Sequence, residues 1–215
     1  GGGPANADAG SGGSGVVIVK ELNKAGGVWS MDSQYQSMVA GTWPDGTTIS
    51  AVPSIDYLVV AGGGGGGSFI AAGGGAGGYR ASGYGPGPLQ APDMTLCTST
   101  TYPVTIGDGG AGGTPPDGPT GAGASGTASV FNACGVEGTT KFTSAGGGGC
   151  GGPGGGGAAE AGGSGAGGTS NASSPGGAGN TPPTSPLPPQ GNAGGPGADP
   201  YGASGGGGGA TAAGG

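Results

Sequence analysis

Of the 215 residues, 66 are glycine and 19 proline, only 7% are charged, and the net charge is -7 with no histidine. An ordinary globular domain carries about 7% glycine, so an enzyme domain built on an aliphatic core is excluded. So is collagen, which needs glycine at every third position, a period that residues 91–107 break.

Composition alone reads as disorder. The 35 large apolar side chains are too few to offset the conformational entropy of ordering such a chain by burial alone. An ordered fold therefore requires backbone hydrogen bonding and close backbone packing to supply an unusual share. A polyproline-II-type helix has three residues per turn and no internal hydrogen bonds. With glycine on every face, such helices pack side by side, and each N–H reaches a carbonyl on a neighbour. The expected fold class is mostly irregular and β: short antiparallel strands, a packed bundle of polyglycine helices, and one short α-helix near the N-terminus.

In chain order, residues 1–15 have no apolar anchor and read as a flexible or assembly arm. Residues 16–61 hold 19 of the large apolar residues and read as a small apolar segment. Val16–Val19 predicts a strand, and it is far too short an apolar run to insert in a membrane. Ser30 is a suitable cap for a helix over Met31–Ala40, with Asp32 in its first turn and Gly41 as its stop. Met31, Tyr35, Met38 and Val39 fall on one face of that helix and are expected to pack inward. Trp29, Trp43, Tyr35 and Tyr57 are expected in the core. Ile55–Val60 predicts a strand that runs straight into Gly62–Gly67.

Residues 62–215 read as the glycine-rich domain. Tyr102–Ile106 and Ser129–Phe131 predict strands, and Val59, Val60, Val104, Ile106, Val130 and Phe131 the hydrophobic seed. Glycine tracts recur at Gly107–Gly113, Gly146–Gly149, Gly154–Gly157, Gly162–Gly168 and Gly205–Gly209 without a strict period. Thr181–Gln190 is Pro-rich and reads as an extended loop between tracts.

The chemistry-bearing motifs are sparse. Gly62–Gly67 satisfies G-x-G-x-x-G trivially, but more glycine follows instead of a helix, and no Gly-Lys-Ser/Thr triplet exists, so phosphate binding is not expected. Cys97, Cys134 and Cys150 form no C-x-x-C; one disulfide with a free thiol and three free thiols both remain open. Without histidine neither a zinc site nor a catalytic cysteine is expected. The acidic residues are scattered, and Asp45, Asp108 and Asp117 each precede a glycine as turn residues do. No catalytic residue, cofactor or metal is assigned. Lys20, Lys24, Arg80 and Lys141 are the only basic residues, too few for a nucleic-acid surface.

The order of segments carries a resemblance. IDYLVVAGGGGGG at Ile55–Gly67 is followed by GGGAGGYR at Gly73–Arg80, TTYPVTIGDGGAGG at Thr100–Gly113, GTASVF at Gly126–Phe131 and TSAGGGGCGGPGGGG at Thr143–Gly157. This succession resembles the glycine-rich domain of bacteriophage tail-fibre and related appendage proteins. The upstream GGVWSMDSQYQSMVAGTWP, Gly26–Pro44, is similar to a segment that precedes that domain. The resemblance implies short strands splaying into packed polyglycine helices, as in phage fibre-tip adhesins and in the glycine-rich domain of receptors related to anaplastic lymphoma kinase.

It also implies a non-enzymatic structural protein of a virion appendage, extracellular, assembling with itself or with other fibre subunits and touching a host cell-surface receptor. Loops Gly78–Gly87 and Thr181–Gly191 are the candidates to face outward. Tyr79, Arg80, Tyr84 and Tyr201 are the candidate receptor-facing residues, since tyrosine among glycine and serine suits a recognition surface. A cellular extracellular filament or surface appendage is the alternative reading.

Overall fold

The computed structural model describes residues 9–21, 31–40, 54–83, 85–96, 101–114, 121–131, 142–152, 158–170, 174–198 and 203–215. Two small sheets form where the β-branched and aromatic residues concentrate. The first contains β1 (Val16–Glu21), β2 (Ser54–Val60), β3 (Tyr79–Ser82) and β4 (Gln90–Ala91) in that order, with β5 (Met94–Thr95) also pairing β2. The long β1–β2 ladder is antiparallel and sets Val16 opposite Val60 and Ile18 opposite Leu58. The second sheet is β6 (Val104–Thr105), β7 (Ser129–Phe131) and β8 (Phe142–Ser144), antiparallel throughout. Helix α1 spans Met31–Val39.

Burial alternates along β2, and Ile55, Tyr57 and Val59 point into a core shared with Met94, Phe131 and Phe142. Tyr57 meets Phe142 edge-on at 4.7 Å between ring centroids, a favoured aromatic geometry. The core therefore lies between the two sheets and is small.

Six strands are continuous with tracts that carry few side chains. Residues 9–15 enter β1, β2 leaves into 61–67, 73–78 enter β3, β6 leaves towards 107–113, 121–128 enter β7, and β8 leaves into 145–152. Buried serines stand at two of these junctions, Ser129 and Ser144, and a third, Ser82, ends β3 away from its tract. The Ser129 hydroxyl accepts from the Gly107 N–H (2.9 Å), Ser144 donates to the Gly78 carbonyl (2.6 Å), and Ser82 accepts from the Tyr57 N–H (2.8 Å). Each ties side-chain structure to a neighbouring backbone.

Several expectations change. Residues 9–15, read as an arm, are bonded along 107–113; residues 1–8 lie outside the described residues. The face Met31, Tyr35, Met38 and Val39 is exposed instead of buried. Helical period reports which residues share a face, and says nothing of what covers it. Val104 and Ile106 are exposed although Val59 and Phe131 are buried, because β6 is a two-residue edge strand paired on one side only. Tyr57 is in the core, whereas Tyr35 is not; Trp29 and Trp43 lie outside the described residues.

The Pro-rich stretch is a loop, but not a freely extended one. Leu187 packs against the core and Gln190 is fully buried. Gln190 Oε1 accepts from the Ala145 N–H and its Nε2 donates to the Pro182 carbonyl, both at 2.8 Å. Gln190→Ala is expected to strand the Ala145 donor and cost about 1–3 kcal/mol, measured as a shift in the urea midpoint.

Candidate functional site

The feature that sets this molecule apart is its hydrogen-bonded glycine interior. Tract 61–67 lies at the centre of one half. Its N–H groups donate in rotation to three neighbours: Gly62 to Thr127, Gly63 to Gly13 and Gly64 to Gly75, then Gly65 to Ala124, Gly66 to Gly10 and Gly67 to Ala72. Every third residue returns to the same neighbour, displaced by three residues. The carbonyls of Gly63 and Gly66 accept from Gly110 and Gly113, and those of Gly62 and Gly65 from Gly147 and Cys150. Five tracts are thus bonded to one.

Tract 162–168 repeats the arrangement further along the chain. Gly165 and Gly168 donate to Asn192 and Gly195, Gly163 and Gly167 to Gly146 and Gly73, and Gly205 and Gly208 donate back to Gly168 and Gly165. Tracts 73–78 and 145–152 touch both centres, so the two halves share members.

Among the described glycines only Gly83 and Gly85 adopt positive φ. The tract glycines are therefore present for proximity and not for conformational freedom. A Cβ added to Gly65 falls inside 3.0 Å of the Ala111 carbonyl, and one added to Gly75 does the same with the Ser164 carbonyl. Some side chains within the tracts are buried, as Cys150, Ser164 and Ala166 are, and others face out. Along 107–114, Gly107, Gly110 and Gly113 are buried while Asp108, Ala111 and Thr114 are exposed, again a period of three.

The candidate receptor-facing residues separate. Tyr84 and Tyr201 lie outside the described residues. Tyr79 and Arg80 begin β3 and are half-buried. Arg80 lies 3.8 Å over the Phe142 ring and its Nη1 donates to the Thr143 carbonyl at 2.8 Å. Its charge is spent on a cation–π contact and a tie between the two sheets. The phenol of Tyr79 stands against Gly85, whose positive φ and close approach both call for glycine. In the loop 181–191, residues 181–183, 185, 186 and 189 are exposed, and Gln190 and Gly191 are turned in.

Cys150 is the one cysteine within the described residues, a free and buried thiol. The Ala72 N–H donates to its Sγ at 3.1 Å, and its thiol donates to the Gly151 carbonyl at 3.0 Å. Burial pushes the thiol pKa above its usual value, more than the Ala72 and Gly67 N–H groups pull it down. A raised folded-state value means that the unfolded thiol ionises first. Stability held below about pH 8.5 is thus lost as pH rises through the folded value. Site-resolved alkylation followed by mass spectrometry should find Cys150 slow to react in the native chain and fast in urea.

Among the described residues no group of three His, Cys, Asp or Glu side chains gathers to hold a metal, and no helix is long and apolar enough to cross a membrane. The residues that sequence reasoning missed are the buried serines Ser82, Ser129 and Ser144, and Gln190. Their only sequence signal is a serine flanking each short strand, in YRAS, SVF and FTS. A family model described as a glycine-rich domain matches residues 37–215. No curated protein and no solved structure matches the chain.

Proposed function

The chain belongs to the glycine-rich domain family, and from that premise we propose that it is a non-enzymatic structural protein of a bacteriophage virion appendage, a tail fibre or fibre tip. In this reading its glycine tracts are polyproline-II-type helices packed as a bundle, and the chain assembles with copies of itself or with other fibre subunits outside the cell. The observation that carries the reading is the return of every third amide of tract 61–67 to the same neighbour. That period is the pitch of a threefold spiral. A rod so cross-linked resists bending without a thick apolar core, a mechanical property that a fibre needs.

Loops such as Gly78–Gly87 and Thr181–Gly191 would meet a host cell-surface receptor, with Tyr79, Tyr84 and Tyr201 as the aromatic candidates. Arg80 is the weakest of the named four, since the Phe142 ring and the Thr143 carbonyl already engage it.

Antibody raised against the full chain, viewed by electron microscopy on phage particles and on the cells that yield them, tests the reading. Label on tails or fibres is the expected result. Label on free cellular filaments alone favours the cellular-appendage alternative. Purified chain should also compete with phage adsorption if it contacts the receptor. Vibrational circular dichroism should report the threefold spiral, and a β-sheet spectrum over the tracts would overturn the bundle. Turnover of a cell-surface polysaccharide would overturn the non-enzymatic assignment.

A further inference from the structure

Apolar side chains are divided unevenly between the two tract bundles. Both sheets and the core of Ile55, Tyr57, Val59, Met94, Phe131 and Phe142 lie within residues 9–152. Among the described residues beyond β8 there is no strand, and the only large apolar residues in 158–215 are Leu187 and Tyr201. Leu187 packs against the core of the first bundle. The amides of tract 61–67 find acceptors between residues 10 and 127, and the carbonyls of Gly62, Gly63, Gly65 and Gly66 find donors between 110 and 150. The second bundle is attached along one flank of the first. Gly167 donates to Gly73, Ala76 to Gly208 and Tyr79 to Gln190, a step of three along 73–79. Gly163 donates to Gly146, Gly148 to Ser164 and Glu160 to Gly149. The Ser204 hydroxyl donates to the Ile70 carbonyl at 2.9 Å, and the Gln190 side chain accepts from Ala145.

We propose that this flank, tracts 73–79 and 145–149, is a template that orders tracts 162–168, 191–197 and 205–209, and that these release from it and return while the first bundle stays folded. Glycine loses more conformational freedom on ordering than any other residue. A backbone bond offsets little of that loss, because water offers the open chain an equivalent bond. The second bundle has no apolar core of its own to supply the rest. Against the flank it gains the burial of Leu187, the Gln190 amide contacts and carbonyls already fixed in place by the first bundle. The first bundle holds the core and the two sheets, and its central tract bonds to none of the second. Opening is therefore sequential: the second bundle alone, then the whole chain. The inference concerns a conformational device in the fold and does not depend on the virion setting of the proposed function.

Residue-resolved native-state hydrogen exchange of the full chain tests it. After correction for intrinsic rates, the amides of Gly165, Gly194 and Gly208 are expected to exchange about tenfold or more faster than those of Gly63 and Gly65. Two side-chain deletions give the order of opening. Ser129→Ala removes the acceptor of the Gly107 N–H in the first bundle. Asn192→Ala removes the donor to the Gly209 and Ala210 carbonyls in the second. A substitution eases only those openings that break its contacts. Ser129→Ala is thus expected to speed exchange at Gly63 and Gly65 and to leave Gly165, Gly194 and Gly208 unchanged. Asn192→Ala is expected to speed both sets by the same factor. Gly194→Ala is more severe, since its methyl meets the Ala166 carbonyl; it should strip protection from the second bundle while Gly63 and Gly65 remain protected. Should Ser129→Ala fail to fold, Thr127→Val, which removes the acceptor of the Asp108 N–H, takes its place with the same expected result. Equal protection throughout, with each variant speeding both sets, means one cooperative unit and overturns the proposal. Effects confined to each variant's own bundle mean two independent units and overturn it too. So does a Gly194→Ala chain that loses protection everywhere.

Discussion

Gly65→Ala is expected to destabilise the chain by about 3 kcal/mol or more, a large part of the roughly 5–15 kcal/mol that holds a domain folded. The new methyl falls inside 3.0 Å of the Ala111 carbonyl and close to the Gly110 carbonyl. Neither can retreat cheaply. The Ala111 oxygen accepts from Ala124 at 2.9 Å, and the Gly110 N–H donates to Gly63 at 2.8 Å. Gly65 itself is held from both sides, donating to Ala124 at 2.8 Å and accepting from Cys150 at 3.2 Å. Overpacking of a tight interior costs about 1–3 kcal/mol, and each backbone bond lost adds about 1 kcal/mol. Gly87→Ala is the matched control. Its Cβ meets nothing within 4 Å and its φ is not left-handed, so the substitution should be neutral or stabilising by up to about 1 kcal/mol. Thermal and urea unfolding of the two variants checks the contrast. Equal effects would mean that the tracts are not packed as described.

Phe142→Ala should cost about 3–5 kcal/mol, in the range of a buried phenylalanine removed from a core. The expectation is at the upper end, because the core is small and the ring has three roles. It fills space between the sheets, meets Tyr57 edge-on at 4.7 Å, and lies 3.8 Å beneath the Arg80 guanidinium. Phe142→Leu retains volume but loses the ring, and should cost less. A double-mutant cycle with Arg80→Met should reveal a coupling of about 0.5–2 kcal/mol. Coupling near zero would show that Arg80 contributes through its bond to Thr143 alone.

The strands that reached legibility are those with a run of β-branched or aromatic residues. Val16–Val19 and Ile55–Val60 anticipate β1 and β2 to within two residues, Ser129–Phe131 coincides with β7, and Met31–Ala40 anticipates α1. Tyr102–Ile106 is longer than β6. Strands β3, β4, β5 and β8 were not legible. Each is two to four residues long, too short for alternation to register, and each exists because a partner strand supplies its ladder. The same holds for the buried serines and Gln190, whose hydroxyl and amide groups gain meaning only beside a backbone that folding brings near.

What residue order determines by itself is where side chains are absent, and therefore where one backbone can approach another. It also sets the short apolar runs from which the strands grow, since β-propensity and alternation are local properties. Which tract lies against which, and that Gly65 should face Ala111, Ala124 and Cys150 together, is decided only by the folded chain. A glycine run has no side chain to specify a neighbour, so around tract 61–67 the pairing is inherited from the strands at the tract ends, whose register through β2 and β7 goes with the packing of Tyr57, Phe131 and Phe142.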